Sequence, residues 1–286
     1  MSADRARLLI DCPDGPGIVA TVSGFLAARG ANIVQSDQHS TDGDGGGHFF
    51  MRMAFDLAGL EERLAELRAQ FAAEVADAFA MAWRLTPEAH PRRLAILASR
   101  EPHCLMELLW RAQRGELGGE VAFVVSNHAD HRDHVARLGI AYHHVPVTPD
   151  TRAESEARLL ELLRGSCDLV VLARYMQILS GDLLRDLGLP IINIHHSFLP
   201  AFVGAEPYQQ ALDRGVKIVG ATAHYVTEEL DSGPIIEQDV VRIDHRADVA
   251  ELKRLGSDVE RLVLGRAVRW HLDDRVIVHD GSTVVF

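Results

Sequence analysis

The chain is poor in cysteine and lysine and contains no long uninterrupted apolar run. Its 3 cysteines are widely separated and form no Cys-x-x-Cys pair, which argues against a disulfide framework and favours a reducing cytoplasm. No stretch of about 18 apolar residues is available to span a membrane, and the charged N-terminus lacks the apolar block of a signal peptide. The formal net charge is −12 and no Lys/Arg cluster is visible. These absences argue against nucleic acid and membranes as partners.

The residues that are present can fill two ordinary cores, since 47% of the 286 residues are hydrophobic. Residues 1–85 predict the order β-α-β-β-α-β, with helical spacing of apolar residues in the second and fifth elements. Residues 86–91 contain two prolines and polar residues, which predicts a linker. We therefore expect an N-terminal domain at 1–85 and a second domain at 92–286.

An early glycine motif admits two interpretations. Residues 15–20 fit G-x-G-x-x-A after a strand, and Asp37 follows about 20 residues on, where a dinucleotide fold would hold ribose. Such a fold needs a crossover helix after its second strand, however, and here a short Gly-rich loop leads straight into a third strand. The resulting hairpin disfavours a nucleotide site and predicts a ferredoxin-like sandwich of two helices on a four-stranded sheet.

Residues 11–19 (Asp-Cys-Pro-Asp-Gly-Pro-Gly-Ile-Val) and 30–33 (Gly-Ala-Asn-Ile) give this segment its family resemblance. It resembles an ACT domain, a small module that binds amino acids and regulates metabolic enzymes. The resemblance implies an amino-acid effector and a homo-oligomer. A Gly-rich turn at a helix N-terminus suits a carboxylate, although the same glycines could simply make the turn. The candidate effector residues are Asp14, Gly15, Gly17 and Asn32.

The second half alternates strands and helices in a different way. Residues 168–174 are so apolar that both faces of this strand must be buried. This pattern predicts an α/β domain with a doubly wound, mainly parallel sheet covered by helices on both faces. Sites in such folds form in the loops after the carboxyl ends of the strands.

One of these strand ends carries a pair of polar side chains. Residues 191–194 predict a buried strand, and residues i and i+2 of a strand face the same side, so Asn193 and His195 point together. An amide donor and an imidazole aimed at one point suit a developing oxyanion. Alone, the pair could equally satisfy backbone groups at the strand end. His196 points the opposite way and is assigned to packing.

The surrounding motifs favour a catalytic role for this pair. Asn193-x-His195 is followed by a Leu-Pro turn at 199–200, a Gly-containing Pro-Tyr-x-x-Ala segment at 204–211, and Asp231-x-Gly-Pro-Ile-Ile. Together these resemble the catalytic core of the folate-dependent formyltransferase family over about residues 92–286. Glu206 departs from the pattern, where a basic or amide residue is expected. The resemblance implies Asn193, His195 and Asp231 as catalytic residues.

With the ACT-like module, the resemblance implies hydrolysis of 10-formyltetrahydrofolate to formate and tetrahydrofolate, feeding one-carbon and purine metabolism. Asn193 can donate to the oxyanion, and His195 can donate to it or pass a proton to the leaving nitrogen. Asp231 can orient His195 and accept a proton from water. A carboxylate beside an imidazole also predicts a raised His195 pKa. The scheme needs neither a metal nor a cofactor.

The family resemblance also implies where folate binds. Two segments form the edges of the expected pocket, one after the buried strand at 168–174 and one leading to Asp231. Their backbone groups can pair with the pterin, while apolar side chains supply contact, although some of these could be ordinary core. The candidate substrate residues are Arg174, Tyr175, Met176, Gln177, Ile178, Leu179, Val226, Glu228 and Leu230.

Alternatives to this function remain open. The same three catalytic residues could serve a formyltransferase with an amine acceptor, or the fold could persist in a non-catalytic amino-acid sensor. Three histidines, His128, His131 and His134, lie at a spacing that only weakly suits a metal, and solvated helix-start residues are the better interpretation.

Overall fold

The chain forms two compact units in a computed structural model that describes residues 4–41, 46–200 and 207–286. The first unit comprises Met1–Pro91, Asp274–His279 and Val284–Phe286. The second comprises Arg92–Asp273 and Asp280–Thr283. Among the helices that the structure describes, none is long and apolar enough to cross a membrane.

The N-terminal unit is built on a four-stranded antiparallel sheet with strand order β2-β3-β1-β4. Strands β2 and β3 pair as the predicted hairpin, and the order is that of a ferredoxin-like sandwich. A π-helical turn and a 3₁₀ turn over residues 72–79 follow the second helix. The elements are β1 Arg5–Pro13, α1 Ile18–Ala28, β2 Asn32–Ser40, β3 His48–Asp56, α2 Leu60–Phe71 and β4 Ala82–Pro87.

Strand alternation gives the two faces of this sheet different partners. Leu8, Ile10 and Cys12 of β1 are buried in one core with residues of α1 and α2. On the opposite face, Leu9 and Phe50 pack with three apolar residues from the end of the chain, namely Ile277, Val284 and Phe286. Residues 274–279 and 284–286 therefore belong to the N-terminal unit, whereas the sequence-based prediction assigned all of 92–286 to the second domain.

The second unit has a seven-stranded sheet with strand order β11-β10-β9-β8-β5-β6-β7. The five strands β9, β8, β5, β6 and β7 pair in parallel in that order, whereas β10 pairs antiparallel with both β9 and β11. All five residues of β8 are buried, as expected for a strand covered on both faces. The first elements are β5 Arg93–Ala98, α3 His103–Gln113, β6 Glu120–Ser126, α4 Arg132–Arg137, β7 Ala141–His144, α5 Arg152–Leu163 and β8 Leu169–Ala173.

The remaining elements follow from β8 to the C-terminus. They are α6 Gly181–Leu187, β9 Ile191–His195, α7 Pro207–Asp213, β10 Ile218–Tyr225, β11 Ile235–Arg242, α8 Val249–Leu272, β12 Val276–His279 and β13 Ser282–Val285. Neither α6 nor β11 was expected from the sequence. Helix α6 is short, and β11 is an edge strand with only one buried residue, so neither has a strong hydrophobic period.

Candidate active site

A cavity of about 320 Å³ opens beside the carboxyl ends of β8 and β9. The loop after β8 forms one of its walls, and the segment after β10 forms another. Asn193, His195 and Asp231 all face this cavity. Its lining residues are Leu172, Arg174, Tyr175, Met176, Gln177, Ile178, Leu179, Asn193, Ile194, His195, His196, His224, Val226, Thr227, Glu228, Glu229, Leu230 and Asp231.

The antiparallel pairing of β9 with β10 positions the first two of these side chains. Asn193 lies opposite His224, and His195 lies opposite Thr222. Directly opposite residues project from the same face of a sheet, so this register adds His224 to the pair that alternation predicts. His195 and His224 are both buried, with 7% and 2% of their surface exposed.

Asp231 reaches the pair from the turn after β10. Its Oδ2 lies 3.2 Å from Nδ1 of His195, and its Oδ1 lies 3.6 Å from Nε2 of His224. The first distance allows His195 to donate from Nδ1 to the carboxylate, whereas the second is too long for a hydrogen bond. The structure therefore brings the three predicted catalytic residues together.

The turn that carries Asp231 depends on a close backbone approach at Gly233. The Tyr225 N–H donates to the Pro234 carbonyl over 2.9 Å, which closes the turn. A Cβ added at Gly233 would lie 1.8 Å from the Tyr225 carbonyl oxygen. Asp231 itself has a positive φ of 55°, a conformation that aspartate tolerates better than most residues. The Asp-x-Gly-Pro motif therefore supplies the carboxylate and also a glycine that the close approach of the backbone requires.

His224 is the functional candidate that sequence analysis missed. Its Nδ1 lies 2.9 Å from the Tyr225 carbonyl, which can only accept, so Nδ1 carries the hydrogen. Burial lowers the pKa of His224, and the neutral ring then has a lone pair on Nε2. Nδ2 of Asn193 lies 3.2 Å from that atom and donates to it. His224 therefore fixes the Asn193 amide with its nitrogen towards β10 and one N–H left for another acceptor.

The expected increase in the pKa of His195 is wrong. Burial lowers this pKa below its ordinary 6.5, and the positive charge of Arg174 lowers it further. Asp231 opposes them but does not outweigh the loss of hydration. His195 is thus a neutral imidazole at pH 7, with a hydrogen on Nδ1 and a lone pair on Nε2.

The lone pair of His195 is left available. Its Nε2 is buried and has no hydrogen-bond partner among the described residues. Buried polar atoms are normally satisfied, and exceptions in native proteins often have a catalytic role. The site thus combines an unpaired proton acceptor and an oriented amide donor beside a cavity.

Arg174 adds a positive charge at the same cavity. It follows β8 with a positive φ of 59°, and its Nε lies 3.5 Å from Oε2 of Glu260. Glu260 is buried and also accepts from His103 over 2.8 Å and from the Tyr208 hydroxyl over 2.9 Å. These contacts hold the pKa of Glu260 below its ordinary value despite burial. The carboxylate is therefore charged and holds the guanidinium in place.

The nine candidate substrate residues all line the cavity. Met176, Ile178 and Leu230 are about 60% exposed, so they are not core residues and offer apolar surface at the mouth. Tyr175 is buried, and Leu179 is partly buried against the neighbouring core. Glu228 pairs with Arg185 over 2.5 Å at the rim. Glu206 lies outside the described residues.

The four candidate effector residues do not form one cluster within a single chain. Asp14, Gly15 and Gly17 follow β1, where Gly17 caps α1 with a φ of 92° and Asp14 accepts from the Gly15 N–H over 2.8 Å. Asn32 begins β2 opposite Asp56, at the other end of the sheet. At about 3.4 Å per residue the two ends lie roughly 27 Å apart. Their joint role remains a prediction.

Comparison with known proteins agrees with both halves of this architecture. Residues 92–268 match the family model described as formyl transferase, and residues 6–72 match the ACT domain model. A formyltetrahydrofolate deformylase from Mycobacterium tuberculosis (strain ATCC 25618 / H37Rv) is 58% identical over 99% of this chain and 91% of its own length. The corresponding protein of Bacillus subtilis (strain 168) is 54% identical over 99% and 94%.

A solved structure extends the agreement to three dimensions. The crystal structure of a formyltetrahydrofolate deformylase from Pseudomonas syringae pv. tomato str. DC3000 has a TM-score of 0.93 and 51% identity. The match covers 99% of this chain and 94% of that one. The chain therefore belongs to the formyl transferase family and, within it, to the formyltetrahydrofolate deformylases that carry an N-terminal ACT domain.

Proposed function

We propose that this chain is an enzyme that hydrolyses 10-formyltetrahydrofolate to formate and tetrahydrofolate, with Asn193, His195 and Asp231 as its catalytic residues. The whole-length similarity to formyltetrahydrofolate deformylases supports the reaction. The buried, unpaired Nε2 of His195 beside the oriented amide of Asn193 is the observation that carries the residue assignment.

The first step is the attack of water on the formyl carbon. Water forms the new C–O bond while the neutral His195 Nε2 accepts its proton. Asp231 accepts from Nδ1 throughout and stabilises the imidazolium as it forms. This assigns Asp231 to orientation and charge compensation, and gives His195 the proton-accepting role.

The tetrahedral intermediate carries an oxyanion. One N–H of the Asn193 amide is used by His224, and the other is free to donate to that oxygen. A donor of this kind typically stabilises the transition state by about 3–4 kcal/mol. His195 then gives its proton from Nε2 to N10 as the C–N10 bond breaks, which releases tetrahydrofolate and formic acid, and the acid ionises to formate. Water is the only co-reactant, and we propose no cofactor.

The pterin of the substrate lies between the loop after β8 and the segment after β10. Backbone groups of both segments recognise its polar edge, and Met176, Ile178 and Leu230 cover its apolar surface. Arg174 supplies a positive charge next to the reacting group. Product formate, an anion, can pair with it briefly after the C–N10 bond breaks.

The ACT domain carries the regulatory part of the proposal. An amino-acid effector binds there, and residues Asp14, Gly15 and Gly17 meet Asn32 of a second copy in a homo-oligomer, since one chain alone separates them. We place the enzyme in the cytoplasm, where its 3 free, buried cysteines stay reduced.

The deciding assay mixes enzyme with 10-formyltetrahydrofolate in the absence of any amine. We expect repeated formate release, and we expect Asn193→Ala to reduce kcat by about 10²- to 10³-fold because the oxyanion loses a donor. Consumption of 10-formyltetrahydrofolate that starts only after an amine is added, with the formyl group recovered on that amine instead of as formate, would indicate a transferase. An unchanged rate in the Asn193 variant would remove the amide from the mechanism.

A further inference from the structure

A second group of chemically active side chains lies on the N-terminal unit. Asp11 of β1, His48 of β3 and His279 of β12 each offer one ligand atom, and these atoms lie within 4.8 Å of one another. All three residues belong to the same compact unit. Their side chains are 18%, 25% and 28% exposed, so a cation can reach them from solvent.

The sheet register places the first two ligands on one face. Asp11 lies opposite Phe50, and His48 is two residues from Phe50 on the same strand, so all three side chains project from the face opposite the helices. Cys12 is buried on the other face and is not part of the group. The arrangement therefore follows from the strands themselves and does not depend on a loop conformation.

The C-terminal hairpin brings the third ligand. Ile277 of β12 packs on Leu9 and Phe50, and His279 follows it by two residues and so projects in the same direction. The His279 ring lies edge-on to Phe50 at a centroid distance of 5.2 Å. It also lies 3.9 Å from the ring of His48, measured between centroids. The packing of Phe50 thus holds both imidazoles beside the carboxylate.

The donor atoms converge on one point. Nε2 of His48 contacts Oδ1 of Asp11, and Nδ1 of His279 lies 3.5 Å from Oδ2 of the same residue. In tetrahedral zinc sites the metal–ligand bonds of about 2.0–2.1 Å place the donor atoms about 3.4 Å apart. The 3.5 Å between Nδ1 of His279 and Oδ2 of Asp11 is in this range, and one ligand atom from each of the three residues lies within 4.8 Å of the other two.

We propose that Asp11, His48 and His279 bind a divalent transition-metal ion, zinc in the first instance, which fastens the C-terminal hairpin to the face of the ACT-domain sheet. Two imidazole nitrogens and one carboxylate oxygen suit zinc better than magnesium or calcium, which prefer oxygen alone. Water completes the coordination from the exposed side. This site is separate from the hydrolytic reaction and supplies no step of it.

A second group with metal-ligand chemistry, His103, Cys104 and Glu260, is less suited to a cation. Burial raises the pKa of the Cys104 thiol well above its ordinary value, so the thiolate form needed for zinc is disfavoured. Glu260 already binds His103 and Tyr208. Arg174 lies 3.5 Å from it and repels a further positive charge.

Zinc titration of the untagged, full-length protein against a chelating indicator tests the proposal, with Co²⁺ absorption as a second readout. We expect one ion per chain. Removing groups that only orient a ligand costs about 10- to 100-fold in metal affinity, so His279→Ala should weaken zinc binding by at least about 100-fold. His48→Gln provides a second variant should His279→Ala fail to fold.

Two histidine variants serve as controls. His39→Ala removes an exposed ring on the same face that stacks on Phe50 at 6.3 Å, and His103→Ala removes the other candidate ligand. Both should retain the zinc stoichiometry. Zinc should also slow amide hydrogen exchange in residues 276–286 of the wild type, because it fastens that hairpin.

Three results would overturn the proposal. They are the absence of zinc binding to the wild type, undiminished binding by both His279→Ala and His48→Gln, and loss of binding in His103→Ala alone. In each case Asp11 with its two histidines is only a hydrogen-bonded surface cluster.

Discussion

Among the described residues, a group of two histidines and one aspartate is found in each compact unit. In the proposed catalytic set, His195, His224 and Asp231, the two histidine side chains are 8% and 3% exposed, whereas in the N-terminal set those of His48 and His279 are about a quarter exposed. Burial lowers the pKa of His195 and of His224 and keeps both rings neutral. The same residue types are therefore buried in one set and partly exposed to solvent in the other.

The direction of the ring nitrogens separates the two sets further. In the first set His195 donates from Nδ1 to Asp231 and His224 donates from Nδ1 to a backbone carbonyl, while Nε2 of His224 accepts from Asn193 and Nε2 of His195 has no partner among the described residues. In the N-terminal set Nε2 of one ring and Nδ1 of the other turn towards a single carboxylate. Rings that are anchored individually suit proton transfer, whereas nitrogens that converge suit a metal ion.

The largest effect is expected from replacing the carboxylate that orients His195. Asp231→Asn should reduce kcat for formate release by about 10⁴-fold, because an amide can turn its N–H towards His195 and favour the wrong tautomer. Steady-state kinetics measures the change. Asp133→Asn, on an exposed position of α4, is the matched control and should retain the wild-type rate, and Asp231→Asn should retain the zinc stoichiometry of the N-terminal set. A near-normal rate for Asp231→Asn would mean that the carboxylate does not orient His195.

A smaller effect is expected from displacing the Tyr225 carbonyl, which orients His224. A methyl group at Gly233 would collide with the Tyr225 carbonyl, and His224 and Asn193 would shift with it. Because displacement by about 1 Å can cost 10²-fold in rate, we expect Gly233→Ala to lower kcat by about that factor.

The control for this change is another glycine-to-alanine substitution, Gly24→Ala in α1, where an added Cβ meets nothing within 4 Å. Kinetics and a melting curve should be recorded for both proteins. Wild-type activity in Gly233→Ala would show that the turn adapts without disturbing the site.

The smallest expected effect is a shift in the pH dependence of kcat/KM. If neutral His195 is the proton acceptor, activity is lost as the pH falls through its lowered pKa, so the acidic limb of kcat/KM lies below pH 6.5. Arg174→Met removes a charge that lowers this pKa, and the limb should therefore move to higher pH. Arg158→Met, an exposed change on α5, should leave the limb in place. An acidic limb above pH 6.5 in the wild type would instead show that the pKa of His195 is raised, as the sequence predicted.

Much of the fold could be predicted because each half has a strong hydrophobic period. The hairpin after β2 argued against a dinucleotide fold from sequence alone, and the apolar β8 indicated a sheet buried on both faces. Asn193 and His195 could be paired because a strand has a period of two residues. Asp231 could be added only through its family motif.

What could not be predicted depends on pairings between distant strands. His224 joins Asn193 through the antiparallel register of β10 with β9, which no local pattern specifies. His279 joins Asp11 and His48 only after the C-terminal hairpin packs on the sheet. The sign of the His195 pKa shift needed burial, since the carboxylate alone favours the opposite direction.

The Tyr225 carbonyl has a consequence for how this active site should be studied. It belongs to the backbone, so an alanine scan at position 225 deletes the phenol and leaves the oxygen that orients His224. Part of the catalytic apparatus is therefore invisible to side-chain mutagenesis. Only an amide-to-ester replacement, which weakens that acceptor, or a change at Gly233, which displaces it, would reveal its contribution.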